Sequence, residues 1–161
     1  MTEYQQFRRE HEDLDQTWSV SKSVKVLRAT HPVISLECSD WSDTGGAHGY
    51  GNTVYLNFDA RSGASVTLSS ILKDGSLPRL TTIAEAYFRK MNKLPPTASL
   101  AEAGFNFAGD RFKLNDNFGV SEKELFFHFN RYEVAPYYMD ETTIAIPLTG
   151  IRDLLRPDLL R

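Results

Sequence analysis

The feature that most constrains the fold is one stretch of helical periodicity set between stretches of two-residue alternation. Within residues 78–92, apolar side chains recur at spacings of three and four, which places them on one face of a helix. They are Leu80, Ile83, Ala84, Tyr87, Phe88 and Met91. The flanking alternation is typical of strands with one buried face. The sequence therefore predicts an α+β fold, a mainly antiparallel β-sheet with one long helix (about 78–92) packed on one face and short helices at the termini.

The alternating segments also predict which residues point inward. A long first strand runs from about Trp18 to Val26 and ends before His31-Pro32, where proline removes a backbone donor. The residues expected to share inward faces in the next two strands are Ile34, Leu36, Cys38, Val54, Leu56 and Phe58. Later strands are expected around Phe112–Leu114, Leu125–Phe129 and Ile144–Ile146, and terminal helices at residues 2–15 and 151–155. Cys38, the single cysteine, is expected to be a buried core thiol.

Composition bounds the class of protein. A length of 161 residues suits one domain over residues 1–161, and 41% hydrophobic with 24% charged residues excludes a disordered tail or a membrane bundle. A net charge of −3 gives no basic field, so nucleic acid is not an expected partner. No apolar run is long enough to span a bilayer, and the polar first residues show no signal peptide. The four histidines lack metal-ligand spacing, so neither a metal nor a cofactor is predicted.

The loop Gly45-Gly46-Ala47-His48-Gly49 is the first unusual segment. Its glycines allow positive φ and close approach of another backbone. One interpretation is a partner-binding loop with His48 at its tip. The other, which we favour, is a tight connection between strands in which His48 bonds to a neighbouring carbonyl.

The second unusual segment, residues 129–138, leaves an apolar strand and enters an aromatic turn. Asn130 suits a turn, and a partly buried Glu133 would need donors from tyrosine hydroxyls or loop amides. Glu133 is either a general acid or base or, as we favour, the centre of a structural polar network, because no second catalytic group is evident. Tyr132, Tyr137 and the neighbouring Tyr138 and Met139 form either an exposed binding face or part of the core.

These two segments carry a resemblance to a known family. The loop 45–49 is followed by a strand, the turn Phe58-Asp59-Ala60-Arg61-Ser62-Gly63 and the segment Leu68–Leu72. The run 127–137 then reads Phe-His-Phe-Asn-Arg-Tyr-Glu-Val-Ala-Pro-Tyr, and Ile146-Pro147 follows. Over about residues 17–156 the chain resembles the extracytoplasmic domain family, of unknown function, found in the anti-sigma factor RsiV and the deacetylase PdaC. Members commonly have one more strand before the first helix, so the chain is expected to be trimmed or shorter at its N-terminus.

The resemblance implies an extracytoplasmic protein of the periplasm or cell surface, a lipoprotein or an ectodomain with a membrane tether that this chain lacks. We therefore predict a non-catalytic cell-envelope binding or sensor domain, resembling the RsiV ectodomain, whose ligand is a lysozyme-like protein or the peptidoglycan. A structural accessory domain of an exported lipoprotein is the alternative, and an envelope hydrolase using His48 and Glu133 ranks below it. The candidate binding residues are Gly45, Gly46, His48, Asn130, Tyr132, Glu133 and Tyr137. The oligomeric state is left open.

Overall fold

The structure is a computed structural model that describes residues 2–11 and 17–157. The six strands are β1 (Ser19–Thr30), β2 (Val33–Asp43), β3 (Tyr50–Asp59), β4 (Phe118–Val120), β5 (Glu124–Phe129) and β6 (Thr142–Pro147). The helices are α1 (Glu3–Glu10), α2 (Leu68–Ile71) and α3 (Leu77–Met91). Single 3₁₀ turns lie at Ala108–Asp110, Tyr137–Met139 and Leu148–Gly150.

The strands form two antiparallel sheets of three strands each. The first sheet has the order β1-β2-β3 and the second β4-β5-β6. The α+β prediction is confirmed, and α3 matches the predicted long helix to within one residue at each end. The short strand β4 was missed, because three buried residues are too few to show alternation. The segment around Phe112–Leu114, expected to be a strand, is irregular although both side chains are buried.

The hydrophobic core lies between the second sheet and α3. Helix α3 buries Leu80, Ala84 and Phe88, and the Phe88 ring contacts a group of phenylalanine rings. That group is Phe105, Phe107 and Phe112. Tyr87 and Met91, predicted on the same helical face, are exposed, because the surface of α3 that contacts the core is narrower than its apolar face.

The inward face predicted for β2 and β3 is wrong. The buried residues of these strands are Val33, Ser35, Tyr55 and Asn57, whereas the residues predicted to be inward occupy the opposite face. Of those, Val54 and Leu56 are exposed and Cys38 is partly exposed. Alternation correctly locates the strands but cannot tell which face meets the core when buried polar groups find partners.

Ser35 and Asn57 find those partners in each other and in β4 of the second sheet. Ser35 Oγ donates to Asn57 Oδ1 over 2.7 Å and accepts from the amide of Val120 over 3.0 Å. Asn57 Nδ2 donates to the carbonyl of Phe118 over 2.6 Å. The inner face of the first sheet is therefore joined to β4 by a buried polar network.

The N-terminal helix α1 packs through aromatic contacts. Tyr4 and Phe7 of α1 contact Trp18, although α1 ends at Glu10 rather than at residue 15. Leu14, part of the predicted first helix, lies outside the described residues. The predicted C-terminal helix at 151–155 is instead a series of turns that follows the 3₁₀ turn at Leu148–Gly150. None of the helices within residues 2–11 and 17–157 is long and apolar enough to cross a membrane.

The turn after β3 is closed by one aspartate. Asp59 Oδ1 accepts from the amides of Arg61 and Ser62 and from Ser62 Oγ. The hydrogen bond from the Ser62 amide lowers the pKa of the Asp59 carboxyl below its usual range. Gly63 has φ 70°, a conformation that glycine adopts without steric cost.

Candidate ligand-binding site between two loops

The loop between β2 and β3 owes its shape to two of its glycines. Gly45 has φ 85° and its amide donates to Asp43 Oδ1 over 2.9 Å. Gly49 lies against the indole ring of Trp41, where any Cβ would overlap the ring. Gly46 has open space around its Cα and no positive φ, so nothing in the structure explains a glycine there. Gly45 and Gly49 are thus explained by the backbone conformation and packing of the loop, as the structural interpretation predicts.

The segment after β5 begins with a tight turn that Glu133 stabilises. The amide of Glu133 donates to the carbonyl of Asn130, and Glu133 Oε2 accepts from the amide of Asn130 over 2.9 Å. Glu133 Oε1 accepts from Asn115 Nδ2 over 2.7 Å. Glu133 is exposed, contrary to the expected partial burial, and its donors are a loop amide and an asparagine rather than tyrosines. These hydrogen bonds stabilise the turn.

Asn130 fastens this turn to the first sheet. Its Oδ1 accepts from the amide of Thr53 over 2.7 Å, and its Nδ2 donates to the carbonyl of Thr53 over 3.1 Å. Asn117 does the same one step along β3, accepting from the amide of Tyr55 and donating to the carbonyl of Thr53. Two side-chain amides therefore occupy the edge of β3 where a fourth strand would bond.

An aromatic stack joins the two predicted segments directly. The rings of His48 and Tyr137 are stacked with centroids 4.0 Å apart and an interplanar angle of 17°. The Arg131 guanidinium lies 4.4 Å from the centroid of the same tyrosine ring. At such distances the two groups must lie on opposite faces of the ring, so neither face of Tyr137 is open to a ligand.

His48 makes two further contacts. Its Nδ1 lies 3.2 Å from the carbonyl of Gly49, the neighbouring-carbonyl bond that the structural interpretation predicts. Its Nε2 lies 3.4 Å from Tyr132 Oη. A tautomer protonated at Nδ1 satisfies both, donating to the Gly49 carbonyl and accepting from the Tyr132 hydroxyl. The structure therefore brings together His48, Tyr132 and Tyr137, three of the candidate binding residues.

Between the two segments lies a cavity of about 340 Å³. Asn130 and Tyr137 are the predicted site residues that line it. The other lining residues are Ser39, Asp40, Trp41, Gly49, Gly51, Asn52, Thr53, Arg131 and Glu141. Its walls thus combine two aromatic rings with many hydroxyl, amide and charged groups, so the lining is more polar than that of most small-molecule pockets.

Trp41 is the aromatic group of the cavity with free surface. It is 44% exposed, and Gly49 supports its ring. Tyr132 and Tyr138, at 55% and 79% exposed, extend the aromatic surface beyond the cavity. Trp41 is not among the site residues that the sequence predicts. Trp41 could have been predicted from its position four residues before the glycine loop, because a glycine at position 49 leaves room for its ring.

Arg131 is paired with two carboxylates, and with Asp40 in the cavity wall the charged groups of the site are net negative. Arg131 Nε donates to Glu141 Oε2 over 3.1 Å, and its terminal nitrogen donates to Asp140 Oδ1 over 2.7 Å. The hydrogen bond to Glu141 raises the pKa of the Arg131 guanidinium above its usual range. The fixed guanidinium holds Tyr137 in place.

No direct pair of catalytic groups forms from the residues proposed for hydrolysis. Glu133 bonds to Asn115 and Asn130, whereas His48 contacts Gly49, Tyr132 and Tyr137, so the two share no hydrogen bond among the described residues. Within residues 2–11 and 17–157, no group of three or more histidine, cysteine or acidic side chains is placed to hold a metal ion.

An α+β fold with a lined cavity between two loops defines a class, a small domain with a candidate ligand-binding site. The chain belongs to the family described as "Protein of unknown function (DUF3298)", whose sequence profile matches residues 69–149. That range contains the Asn130–Tyr137 segment and leaves the loop 45–49 outside.

Relatives support the same assignment. Over 96% of its length the chain is 24% identical to the peptidoglycan-N-acetylmuramic acid deacetylase PdaC of Bacillus subtilis, and it covers 34% of that protein. The chain thus spans about a third of this relative's length.

Two solved structures share the fold. A DUF3298 family member from Bacteroides fragilis superposes with a TM-score of 0.74 at 21% identity, covering 96% of this chain and 61% of the other. A DUF3298 family protein from Pseudomonas aeruginosa gives 0.69 at 21%, covering 95% and 69%.

Proposed function

We propose that this chain is a non-catalytic ligand-binding domain of the cell envelope, and that its ligand is a cell-wall glycan held between the two loops. The observation that carries the proposal is the cavity of about 340 Å³, in which a partly exposed Trp41 stands beside fixed polar groups. A pyranose ring suits this arrangement because its C–H face packs on an indole while its hydroxyls bond to amides and carboxylates.

The polar partners for such a sugar are ordered by the protein itself. Ser39 and Thr53 lie side by side, with their hydroxyl oxygens 3.0 Å apart. Arg131 is held by two acidic side chains and one aromatic ring. Because these groups are fixed before any ligand arrives, little side-chain entropy would be lost on binding.

The proposed location is outside the cytoplasm. PdaC is named as a deacetylase of the peptidoglycan sugar N-acetylmuramic acid, and this chain aligns with a third of it. We extend to this chain the cell-wall association and not the deacetylase activity. Attachment as a lipoprotein, or through a membrane tether elsewhere in a longer protein, belongs to the same proposal.

A second candidate ligand is a protein such as lysozyme, as the resemblance to the RsiV ectodomain suggests. The observation that favours it is the exposed aromatic surface outside the cavity, formed by Tyr132 and Tyr138. Exposed tyrosines are enriched in protein interfaces. In this form the domain would be the sensor of an anti-sigma-like protein.

The structural accessory role draws on the bracing contacts of Asn130 and Glu133. It predicts that every loss of function follows a loss of stability. The hydrolase using His48 and Glu133 draws only on their presence in the two distinctive loops, and their separate hydrogen-bond partners count against it.

The test is co-sedimentation of the purified chain with insoluble peptidoglycan, run beside a pull-down on immobilised lysozyme. Trp41→Ala should reduce the sedimented fraction at least about tenfold, because the stacking surface is lost. Tyr87→Ala is the matched control, since Tyr87 is an aromatic residue of α3 with 39% exposure. Thermal unfolding of each variant separates lost binding from lost folding.

The outcomes are distinct. Sedimentation that is lost in Trp41→Ala and kept in Tyr87→Ala supports the glycan. Retention on lysozyme alone, reduced by Tyr132→Ala, supports the protein ligand and overturns the glycan. If the wild-type chain binds neither material, the binding proposal fails and the accessory role remains.

A further inference from the structure

The outer face of the first sheet is apolar and open. Val24, Cys38 and Val54 are paired across β1, β2 and β3, and so are Val26, Leu36 and Leu56 in the next row. Val24 and Val26 are 66% and 59% exposed, and Val54 and Leu56 are 45% and 40% exposed. Single exposed apolar residues are ordinary, but two complete cross-strand rows form a contiguous patch that marks an interaction surface.

The charge on this face is balanced. Lys22 and Asp40 are cross-strand neighbours on the outer face, directly beyond the row that contains Cys38. Their charges cancel, so the face has no basic excess that would attract an anionic membrane surface or an acidic partner. A face without net charge can meet an identical face without like-charge repulsion.

The shape suits a second sheet. Two β-sheets stack face to face about 10 Å apart, with side chains of the inner faces interdigitating. A twofold axis between two copies would place the same apolar rows against each other, as in the common symmetric dimers. The sequence of β1 and β3 supports this, because valine and leucine fill the rows.

The area is adequate for a reversible dimer. About ten residues per strand at ~3.4 Å, over three strands at ~4.8 Å, give a flat footprint of roughly 500 Å² per copy. A symmetric pair that uses the whole face would therefore cover about 1,000 Å², which is below the ~1,200 Å² of stable complexes and in the range of weak, reversible ones. We infer that the outer face of the first sheet, built around the Val24–Cys38–Val54 and Val26–Leu36–Leu56 rows, is the interface through which two copies of this chain form a dimer.

The dimer leaves the ligand site available. Trp41 pairs with Gly51 and thus lies on the opposite face of the sheet from Cys38, and the outer-face pair Asp40 and Asn52 reaches the cavity only at its wall. Two copies stacked through their outer faces would present two separate cavities. Dimerisation therefore adds a second binding site within one particle, which raises binding to a repetitive surface without any new contact.

The direct test is sedimentation velocity of the whole chain from about 1 to about 300 µM, a range that brackets micromolar dissociation constants. The wild-type chain should shift from monomer to dimer. Val26→Lys should raise the dissociation constant at least about tenfold, because symmetry places two unpaired charges in the interface. Met91→Lys is the control, since Met91 is 49% exposed on α3.

Cys38 supplies a second measurement in the unmodified protein. Its thiol lies in the central strand of the proposed interface and is partly exposed. Its rate of alkylation should fall severalfold between the lowest and highest concentrations, and Val26→Lys should abolish that dependence. Far-ultraviolet circular dichroism confirms that each variant is folded.

A chain that stays monomeric up to about 300 µM overturns the inference, even if the face binds lipid vesicles or another protein. A dimer that Val26→Lys and Met91→Lys weaken equally also overturns it, since the interface would lie elsewhere.

Discussion

The two sheets differ in what holds them in place. The second sheet buries Leu125, Phe127 and Phe129 against α3 and the phenylalanine group. The first sheet turns Ser35 and Asn57 toward the interior and leaves valine and leucine rows outside. The second sheet is thus stabilised by apolar packing, whereas the first is joined to it by buried side-chain hydrogen bonds together with the contact of Tyr55 on Phe126.

This contrast explains where the candidate site lies. Asn130 and Asn117 extend from the region of the second sheet and bond to the backbone of β3. The cavity opens where those bonds bring the β2–β3 loop beside the segment after β5. The position of the site therefore depends on the small number of hydrogen bonds that Asn130 and Asn117 make to β3.

The largest expected effect is in the second sheet. Phe127→Ala should lower the free energy of unfolding by about 3–5 kcal/mol, because the ring is fully buried and its loss leaves a cavity. Val26→Ala on the exposed outer face should cost under about 0.5 kcal/mol in the monomer. Chemical denaturation measures both, and equal losses would refute the contrast between the sheets.

The next effect is in the network that joins the sheets. Asn57→Ala should cost about 1–3 kcal/mol, because it leaves the Phe118 carbonyl and the Ser35 hydroxyl without their buried partner. A double-mutant cycle with Ser35→Ala should give a coupling energy above about 0.5 kcal/mol. Additive losses would mean that the two side chains act independently.

A smaller effect should follow at the site junction. Asn130→Asp keeps an acceptor for the Thr53 amide but removes the donor to the Thr53 carbonyl, which should cost about 1 kcal/mol. Glycan binding should weaken in the same variant, because the cavity wall shifts. Unchanged stability and unchanged binding together would show that Asn130 does not position the site.

The smallest effect is the pH dependence that His128 contributes. This histidine bonds to Thr143 and Asn130, and burial lowers its pKa below the ordinary 6.5. As the pH falls below 6.5, the unfolded chain takes up this proton and the folded chain does not, so stability decreases until the folded pKa is reached. Above 6.5 the full contribution is present.

Denaturation curves from about pH 5 to 8, roughly the range in which an ordinary histidine titrates, check this effect. His128→Gln is the comparison. The wild-type chain should lose more stability than the variant on acidification. A steeper loss in the variant would contradict the buried neutral state.

Sequence reasoning found the elements better than their faces. The spacing of Leu80, Ala84 and Phe88 located α3, and strict alternation located β5. The inner face of the first sheet was assigned to Leu36 and Cys38, because apolar residues are the usual interior ones. Ser35 and Asn57 are interior instead, and only the position of β4 makes that possible, a relation between distant segments that alternation does not encode.

The candidate site was predictable only in part, because it also depends on contacts between distant segments. The segments containing His48 and Tyr137 were singled out separately, and the structure brings them into contact. The roles within the site were not predictable, because they depend on neighbours. Tyr137 is covered on both faces, Glu133 braces a turn, and Trp41 presents the open aromatic surface.

The central claim is that the junction cavity binds a cell-wall glycan, and a nitrogen–proton correlation NMR titration of the whole chain tests it most directly. Soluble muropeptides released from peptidoglycan are the probe, and chitohexaose is the comparison. Binding in the cavity should give saturable shifts of the Trp41 indole signal and of the Gly49 and Thr53 amides, with Val24 and Val26 unmoved. Absence of shifts at millimolar muropeptide, or shifts confined to residues outside the cavity, would contradict it.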